Sequence, residues 1–167
     1  ESAGSGYGLA DIEIRGADEA GDKTKYYEVL AEESPRGYFP KYFLNEATYW
    51  TVVGADGDKI ESLVNEEGAF ETDREGFSFE PFLYFDRLIT WGDAKTSQNL
   101  EKGYIPIPTV GWEMKDLALR VTLFDSGPRD RSLLYARYRI ENKGATTRDG
   151  KFYLALRPFQ VTPPWQK

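Results

Sequence analysis

The acidic side chains of this chain are the ones that could take part in the widest range of chemical reactions. The sequence has 28 Asp and Glu residues but no His and no Cys. The absence of His removes Ser-His-Asp chemistry, the commonest general base and most zinc and copper sites. The absence of Cys removes thiolate nucleophiles, thiolate metal sites and disulfides. Any catalysis would therefore rest on carboxylates, Lys, Tyr or Arg, and we expect no cofactor and no metal ion.

A pair of carboxylates could hydrolyse a glycosidic bond, with one group as acid and the other as base or nucleophile. Five acids stand beside aromatic residues or at the end of a predicted strand, namely Glu80, Asp86, Asp93, Glu113 and Asp125. In a chain with 28 acids, two carboxylates are expected to fall close together by chance. We therefore favour solvated surface acids and assign no catalytic residue.

Tryptophan side chains could stack on sugar rings, because an aromatic face packs against the C–H surface of a sugar. Asp93 follows Trp91 by two residues, so a continuing strand would place both side chains on one face. This pair is our strongest candidate for a sugar contact, and Trp50 and Trp112 are further candidates. The alternative for each Trp, including Trp165, is that it fills the core of a sheet protein.

Two short motifs resemble ligand-binding loops but lack a residue that such loops need. The stretch 16–24 resembles a phosphate-binding loop, but Asp22 separates the second Gly from Lys23. The stretch 56–58, DGD, resembles the start of a calcium loop, but Glu61 stands where an EF-hand needs Gly. We interpret the first as an acidic linker and the second as a hairpin turn.

The elements that position these residues are mostly strands. Between Leu117 and Gln160, three runs alternate apolar and polar residues, and two polar connections with Gly separate them. We predict a three-stranded antiparallel meander here. Further short strands follow one another from Tyr49, and Pro81 inside the aromatic run FSFEPFLYF indicates an edge strand or a bulge. We interpret the stretch 92–103 as a polar connection.

The first 45 residues differ in character from the rest. They predict a short strand over Tyr7 to Arg15, a short helix over Lys25 to Glu33, and an ordered irregular segment lying on the sheet. We therefore predict an all-β protein, an antiparallel β-sandwich with one short N-terminal helix. Residues 1–45 would lead into a sandwich domain over 46–167. The chain starts at Glu1 without Met, so we expect a piece of a longer protein.

Charge and hydropathy restrict the partners. The net charge is −7, and an acidic chain repels phosphate backbones, so we expect no nucleic-acid partner. No apolar run approaches the roughly 20 residues that a membrane-spanning helix needs, so we expect no membrane span.

The stretch from Tyr49 to Gln166 resembles a known family. Its runs include TYWTVVGADGD, FSFEPFLYFDRLITWGD, YIPIPTVGW, LYARYRIEN and LALRPFQVTPPWQ. They resemble the supersandwich (galactose-mutarotase-like) module of large bacterial proteins, which also carry discoidin-like domains and a glucoamylase-like α/α-barrel. The opening YGLADIEIRG is similar to the last strand of a discoidin domain. In related glycosidases and phosphorylases the sandwich packs on the catalytic barrel and helps shape its substrate entrance.

The resemblance implies a supporting role and brings no catalytic residue. Mutarotases of this fold use His and Glu to move protons on the sugar, and this chain has no His. We therefore expect a non-catalytic sandwich module that packs on a neighbouring domain of the same polypeptide and could contact a glycan. Two alternatives stay open: an autonomous glycoside hydrolase with a carboxylate pair, and a purely structural interaction domain.

Overall fold

A computed structural model describes residues 23–57, 61–73, 76–129 and 131–159 of the chain. The predicted strand over Tyr7 to Arg15, most of the 16–24 linker, and Trp165 lie outside the described residues.

The described residues form two antiparallel sheets. The strands in chain order are β1 (Trp50–Val53), β2 (Ser62–Asn65), β3 (Phe70–Glu71), β4 (Ser78–Tyr84), β5 (Leu88–Ile89), β6 (Lys95–Glu101), β7 (Ile105–Glu113), β8 (Leu117–Ser126), β9 (Leu133–Asn142) and β10 (Lys151–Arg157). Sheet A has the order β1-β2-β3-β4-β10, with β5 added beside β4, and sheet B has the order β6-β7-β8-β9. The predicted all-β, antiparallel sandwich with one short helix is confirmed.

The helix, α1 (Lys23–Glu33), precedes all the strands. It ends before Pro35, as the restricted backbone of a residue preceding proline predicts, and the hydroxyl of Ser34 donates to the carbonyl of Leu30 at 2.6 Å. A 3₁₀ turn, Lys41–Leu44, follows. Within the described ranges, no helix reaches the length and apolar character that crossing a bilayer requires.

The main core lies between the two sheets. Leu117, Leu119, Val121 and Leu123 of β8 belong to this core, as period-two alternation predicts, although Ala118 and Thr122 on the opposite face are also buried. The four core residues pack with residues of sheet A such as Leu83. Complete burial of one such aliphatic side chain stabilises the fold by about 1.5–3 kcal/mol. The core therefore fixes the distance between the sheets. The strand side chains that alternate with the core residues point away from it.

The predicted meander is only partly correct. β8 pairs with β9 over its full length, but β10 leaves that sheet and pairs with β4, from Lys151 opposite Tyr84 to Arg157 opposite Ser78. The chain crosses from sheet B to sheet A between Asn142 and Lys151. Alternation predicts which face of a strand is buried, but it does not predict which strand becomes its neighbour.

The stretch 92–103 is not the connection that we predicted. Lys95–Glu101 forms β6, which pairs with β7 along the sheet edge. Its residues alternate between exposed and half-buried, but most of the half-buried ones are polar. One of them, Gln98, donates to the hydroxyl of Thr51 in sheet A at 3.0 Å.

Pro81 lies in β4, an interior strand of sheet A whose pairing is interrupted on one side. It lies opposite Leu154 of β10 with no shift of register, so the predicted bulge is not formed there. On the other side of β4, β3 pairs only with the first two residues and β5 only with the last two. Pro81 therefore falls between two short partners, where no pairing residue requires a backbone donor.

Candidate ligand-binding site

The outer face of sheet A carries a shallow cavity of about 330 Å³, which we call the aromatic trough. It is lined by Tyr38, Phe82, Leu88, Tyr153, Ala155 and Arg157. The β10 residues among them alternate along the strand and so share one face. Tyr153 lies directly opposite Phe82 of β4, which brings the two side chains side by side. The small side chain of Ala155, between Tyr153 and Arg157, leaves the depression open.

The two tyrosines of the aromatic trough present their rings to solvent. Tyr153 is 47% exposed and Tyr38 is 38% exposed, whereas Phe82 and Leu88 are half-buried. Tyr38 comes from the irregular segment after α1, about 115 residues away from Tyr153 in the chain. The trough therefore exists only because that segment packs on the sheet.

The guanidinium of Arg157 is held in a fixed position at the trough. Its Nε donates to Oε1 of Glu80 at 2.9 Å, its Nη2 donates to Oε2 of the same carboxylate, and its Nη1 donates to the carbonyl of Tyr38 at 2.6 Å. The hydroxyl of Ser78 also donates to Glu80, at 2.8 Å. The guanidinium lies 5.5 Å from the centre of the Phe82 ring. Within the described ranges these bonds engage three of its five N–H donors, which leaves two for a ligand.

Buried acids lie beside the trough, beneath the segment that carries Tyr38. Burial raises the pKa of Glu67 to about 7, against a weaker opposing attraction by Lys41. Burial also raises the pKa of Tyr42, and the nearby carboxylates of Glu80 and Glu71 raise it further. Glu67 is only 3% exposed, so a substrate in solution has no path to this carboxylate.

The carboxylates predicted as candidates are mostly held in ion pairs. Glu80 is bound to Arg157, as described, and Asp86 lies 3.6 Å from Arg148. Glu113 accepts hydrogen bonds from Lys143 and Arg120, and these cations lower the pKa of its carboxyl. Asp125 lies near the end of β8, opposite Leu134 of β9. Among the described residues, no group of three or more acids is arranged to hold a metal ion.

Trp91 and Asp93 do not share a strand face, because the chain forms a 3₁₀ turn there. The ring of Trp91 packs against the core, its Nε1 donates to the carbonyl of Phe39 at 3.2 Å, and the guanidinium of Arg36 lies 4.9 Å from its centre. Asp93 instead caps the turn by accepting from the backbone of Thr90 at 2.9 Å. The stacking face and the carboxylate therefore point to different surroundings.

Asp93 faces a second cavity, of about 280 Å³, at the end of the sandwich. Three acids and three bases line its rim, namely Asp86, Asp93, Asp116, Arg87, Lys115 and Arg148. Arg87 pairs with Asp93 at 2.7 Å. We call this cavity the charged notch. Its opposite charges largely satisfy one another, so it offers fewer free groups to a ligand than the aromatic trough does.

The other two predicted Trp residues lie away from both cavities. Trp112 is 1% exposed in the core, where its Nε1 donates to the carbonyl of Glu67 at 2.8 Å, so its ring offers no face to a ligand. Trp50 is half-buried, and its ring centre lies 6.4 Å from that of Tyr42.

The aromatic trough was not predicted from the sequence. The available signal was an aromatic residue at an outward position of β10: Tyr153 lies between Phe152 and Leu154, which share the inward face. No known protein family, curated protein or solved structure matches this chain. Function is therefore inferred from geometry.

Proposed function

We propose that this chain is a non-catalytic β-sandwich module of a carbohydrate-active protein, which packs on a neighbouring catalytic domain and binds a glycan in the aromatic trough. One observation carries the proposal: the exposed rings of Tyr38 and Tyr153 flank a guanidinium that is fixed in position. The C–H faces of a sugar pack on aromatic rings, and sugar hydroxyls accept hydrogen bonds from a guanidinium.

The dimensions of the aromatic trough suit part of a glycan chain. A cavity of about 330 Å³ lies at the lower end of the range for small-molecule sites. Because the trough is shallow and open to solvent, it suits one or two units of a longer polymer better than an enclosed single sugar. Tyr side chains have only two rotatable bonds, and Glu80 holds Arg157, so little side-chain freedom is lost on binding.

The state of the carboxylates favours a binding module over a glycoside hydrolase. A hydrolase of that class needs a carboxylic acid that keeps its proton near neutral pH, beside a second carboxylate. The carboxyl with such a raised pKa, that of Glu67, is buried, and the more exposed Glu113 is kept ionised by two cations. This pattern supports a binding role for the chain.

The test is glycan binding by a variant without one wall of the trough. Tyr153→Ala should weaken binding by about two- to tenfold on a glycan array and in calorimetry, since aromatic contacts contribute about 0.5–1.5 kcal/mol beyond area burial. Tyr104→Ala is the matched control, because Tyr104 is an exposed Tyr in the turn between β6 and β7, away from the trough. Its binding should equal that of the unaltered chain.

Three results would contradict the proposal. The first is that the unaltered chain binds no glycan on the array. The second is that Tyr104→Ala weakens binding as much as Tyr153→Ala. The third concerns the non-catalytic role: reproducible hydrolysis of chromogenic glycosides by the isolated chain would identify it as an enzyme.

A further inference from the structure

Strand β9 forms a long free edge of sheet B. It pairs with β8 along all ten residues, from Leu133 opposite Ser126 to Asn142 opposite Leu117. None of the described residues pairs with its other side. An edge of this length presents a row of unpaired backbone N–H and C=O groups, which is a template for a further strand.

The outward face of β9 is basic, although the chain as a whole is acidic with a net charge of −7. Arg137 and Arg139 alternate along this face, and Arg139 lies opposite Arg120 of β8. Arg137 forms no ion pair within the described ranges, and Arg139 reaches only Glu141, at 3.9 Å. The positive charge at this edge is therefore largely unneutralised by the surrounding fold.

The inward side chains near the same edge are apolar and incompletely covered. Ile140 of β9 is 42% exposed, and Leu156 of β10 is 60% exposed. The ring of Tyr138 in β9 lies 4.7 Å from that of Phe152 in β10, so the two strands contact each other across the gap between the sheets. The hydroxyl oxygen of Tyr138 is buried and has no hydrogen-bond partner among the described residues. The apolar surface lacks the cover that a further strand would supply.

We propose that β9 binds an extended acidic segment of a partner polypeptide as a fifth strand of sheet B. The backbone of the segment would pair with β9. Asp or Glu at alternate positions would contact Arg137 and Arg139, and apolar residues in between would cover Ile140 and Leu156.

Charge disfavours a second copy of the chain that pairs with β9 in the register centred on Tyr138. Antiparallel pairing of β9 with itself about Tyr138 would place Arg137 of one copy opposite Arg139 of the other. Like charges directly opposite each other destabilise a strand pair. A partner strand with alternating acids meets no such repulsion. The proposed strand site lies on sheet B, whereas the aromatic trough lies on sheet A, so each proposal can fail without the other.

The experiment uses the full chain and a labelled ten-residue peptide that alternates Glu and Val. Fluorescence anisotropy should detect binding of this peptide, and binding should weaken as salt rises, because exposed charges are screened. A peptide alternating Lys and Val should not bind. A Glu–Val peptide N-methylated on the edge that faces β9 should also not bind, because it has lost the backbone donors that a strand pair requires. Hydrogen exchange should slow at the amides of β9 when the Glu–Val peptide is added.

Charge reversal locates the site. The double variant Arg137→Glu, Arg139→Glu should lose affinity for the Glu–Val peptide by at least tenfold and gain affinity for the Lys–Val peptide. The matched control, Lys95→Glu with Lys102→Glu, changes net charge equally and lies in β6 and the turn after it, at the opposite edge of sheet B. It should bind like the unaltered chain, and the thermal midpoints of both double variants should stay close to that of the parent.

Several outcomes would overturn the proposal. Equal binding of the acidic and basic peptides would remove the charge argument, and unimpaired binding of the N-methylated peptide would remove strand pairing. Slow exchange of the outward amides of β9 in the peptide-free monomer would mean that the chain's own residues cover the edge. Sedimentation of a dimer that the Arg137→Glu, Arg139→Glu variant alters would identify a second copy as the occupant.

Discussion

At the scale of single residues, Glu67 is the side chain whose burial has the largest chemical consequence. It lies in the tight turn between β2 and β3, where the side chain of Asn65 accepts hydrogen bonds from two backbone N–H groups of the turn. Trp112 donates to the backbone carbonyl of Glu67, but Oε1 of the Glu67 carboxyl is buried and has no partner in the part of the chain that the structure describes. An ionised group is costly in such a place unless it is fully paired, which is why burial raises its pKa.

This buried carboxyl predicts a pH-dependent stability. The pKa of Glu67 is about 7 in the folded chain, above the ordinary value of 4.5, so the folded state binds the proton more tightly than the unfolded state does. The free energy of unfolding should therefore fall as pH rises from 4.5 through 7, by at most about 3 kcal/mol. Glu67→Gln should raise the thermal midpoint at pH 8 and change it little at pH 5.

The control for this change is Glu66→Gln in the same turn. Glu66 is ion-paired with Lys41, so its neutralisation removes an attraction and should lower the midpoint at pH 8 slightly. The other charged groups that act on Glu67, Lys41 and Glu80, are unaltered in Glu67→Gln. A pH dependence that persists in Glu67→Gln would show that another group is responsible.

At the scale of elements, turns in both sheets depend on glycines with positive φ. Gly68, at φ 89°, closes the turn between β2 and β3, and a Cβ there would lie 3.3 Å from a methyl of Val121 in the opposite sheet. Gly103, at φ 82°, closes the turn between β6 and β7, and a Cβ there would meet nothing within 4 Å. The two positions share backbone strain but differ in packing.

Gly68→Ala and Gly103→Ala should therefore separate backbone strain from overpacking. Gly103→Ala should lower the free energy of unfolding by about 1 kcal/mol, because Ala adopts positive φ poorly. Gly68→Ala should lower it by a further 1–3 kcal/mol, since its methyl group presses on the core. Urea unfolding measures both values. Equal losses of unfolding free energy in the two variants would mean that the turn at Gly68 moves away from sheet B at no cost.

The same elements show which features can be predicted from sequence. The turn at Asp56–Gly57 was predicted because its signal is local, and it occurs between paired strands. The transfer of β10 to sheet A was not predicted, because pairing with β4 is decided by contacts about 75 residues apart. The aromatic trough was missed for the same reason: Tyr38 and Tyr153 meet only after the irregular segment packs on sheet A.

At the scale of the whole molecule, two apolar clusters share sheet A. The larger lies between the sheets, and the smaller centres on Ala31, Phe43 and Phe159. Three buried side chains form too small a core to hold residues 23–44 folded alone. This segment is attached to the sandwich by the hydrogen bond from Trp91 to Phe39, by the bond from Arg157 to Tyr38 and by the pairing of Lys41 with Glu66. Residues 23–44 therefore keep their folded conformation only while the sandwich is folded.

We accordingly expect residues 23–44 and the sandwich to unfold in one transition, although the sequence suggested a boundary near residue 45. Leu119→Ala removes a fully buried side chain of β8 and should lower the free energy of unfolding by about 2–5 kcal/mol. Protease cleavage within 23–44, measured across a urea series, should shift to lower urea by the same amount as the tryptophan fluorescence of the whole chain. Leu133→Ala, at an exposed position of β9, should shift neither by more than about 0.5 kcal/mol. Cleavage of 23–44 at an unchanged urea concentration in Leu119→Ala would show instead that this segment folds independently, and that the Tyr38 wall of the aromatic trough can detach from the sheet that carries Tyr153.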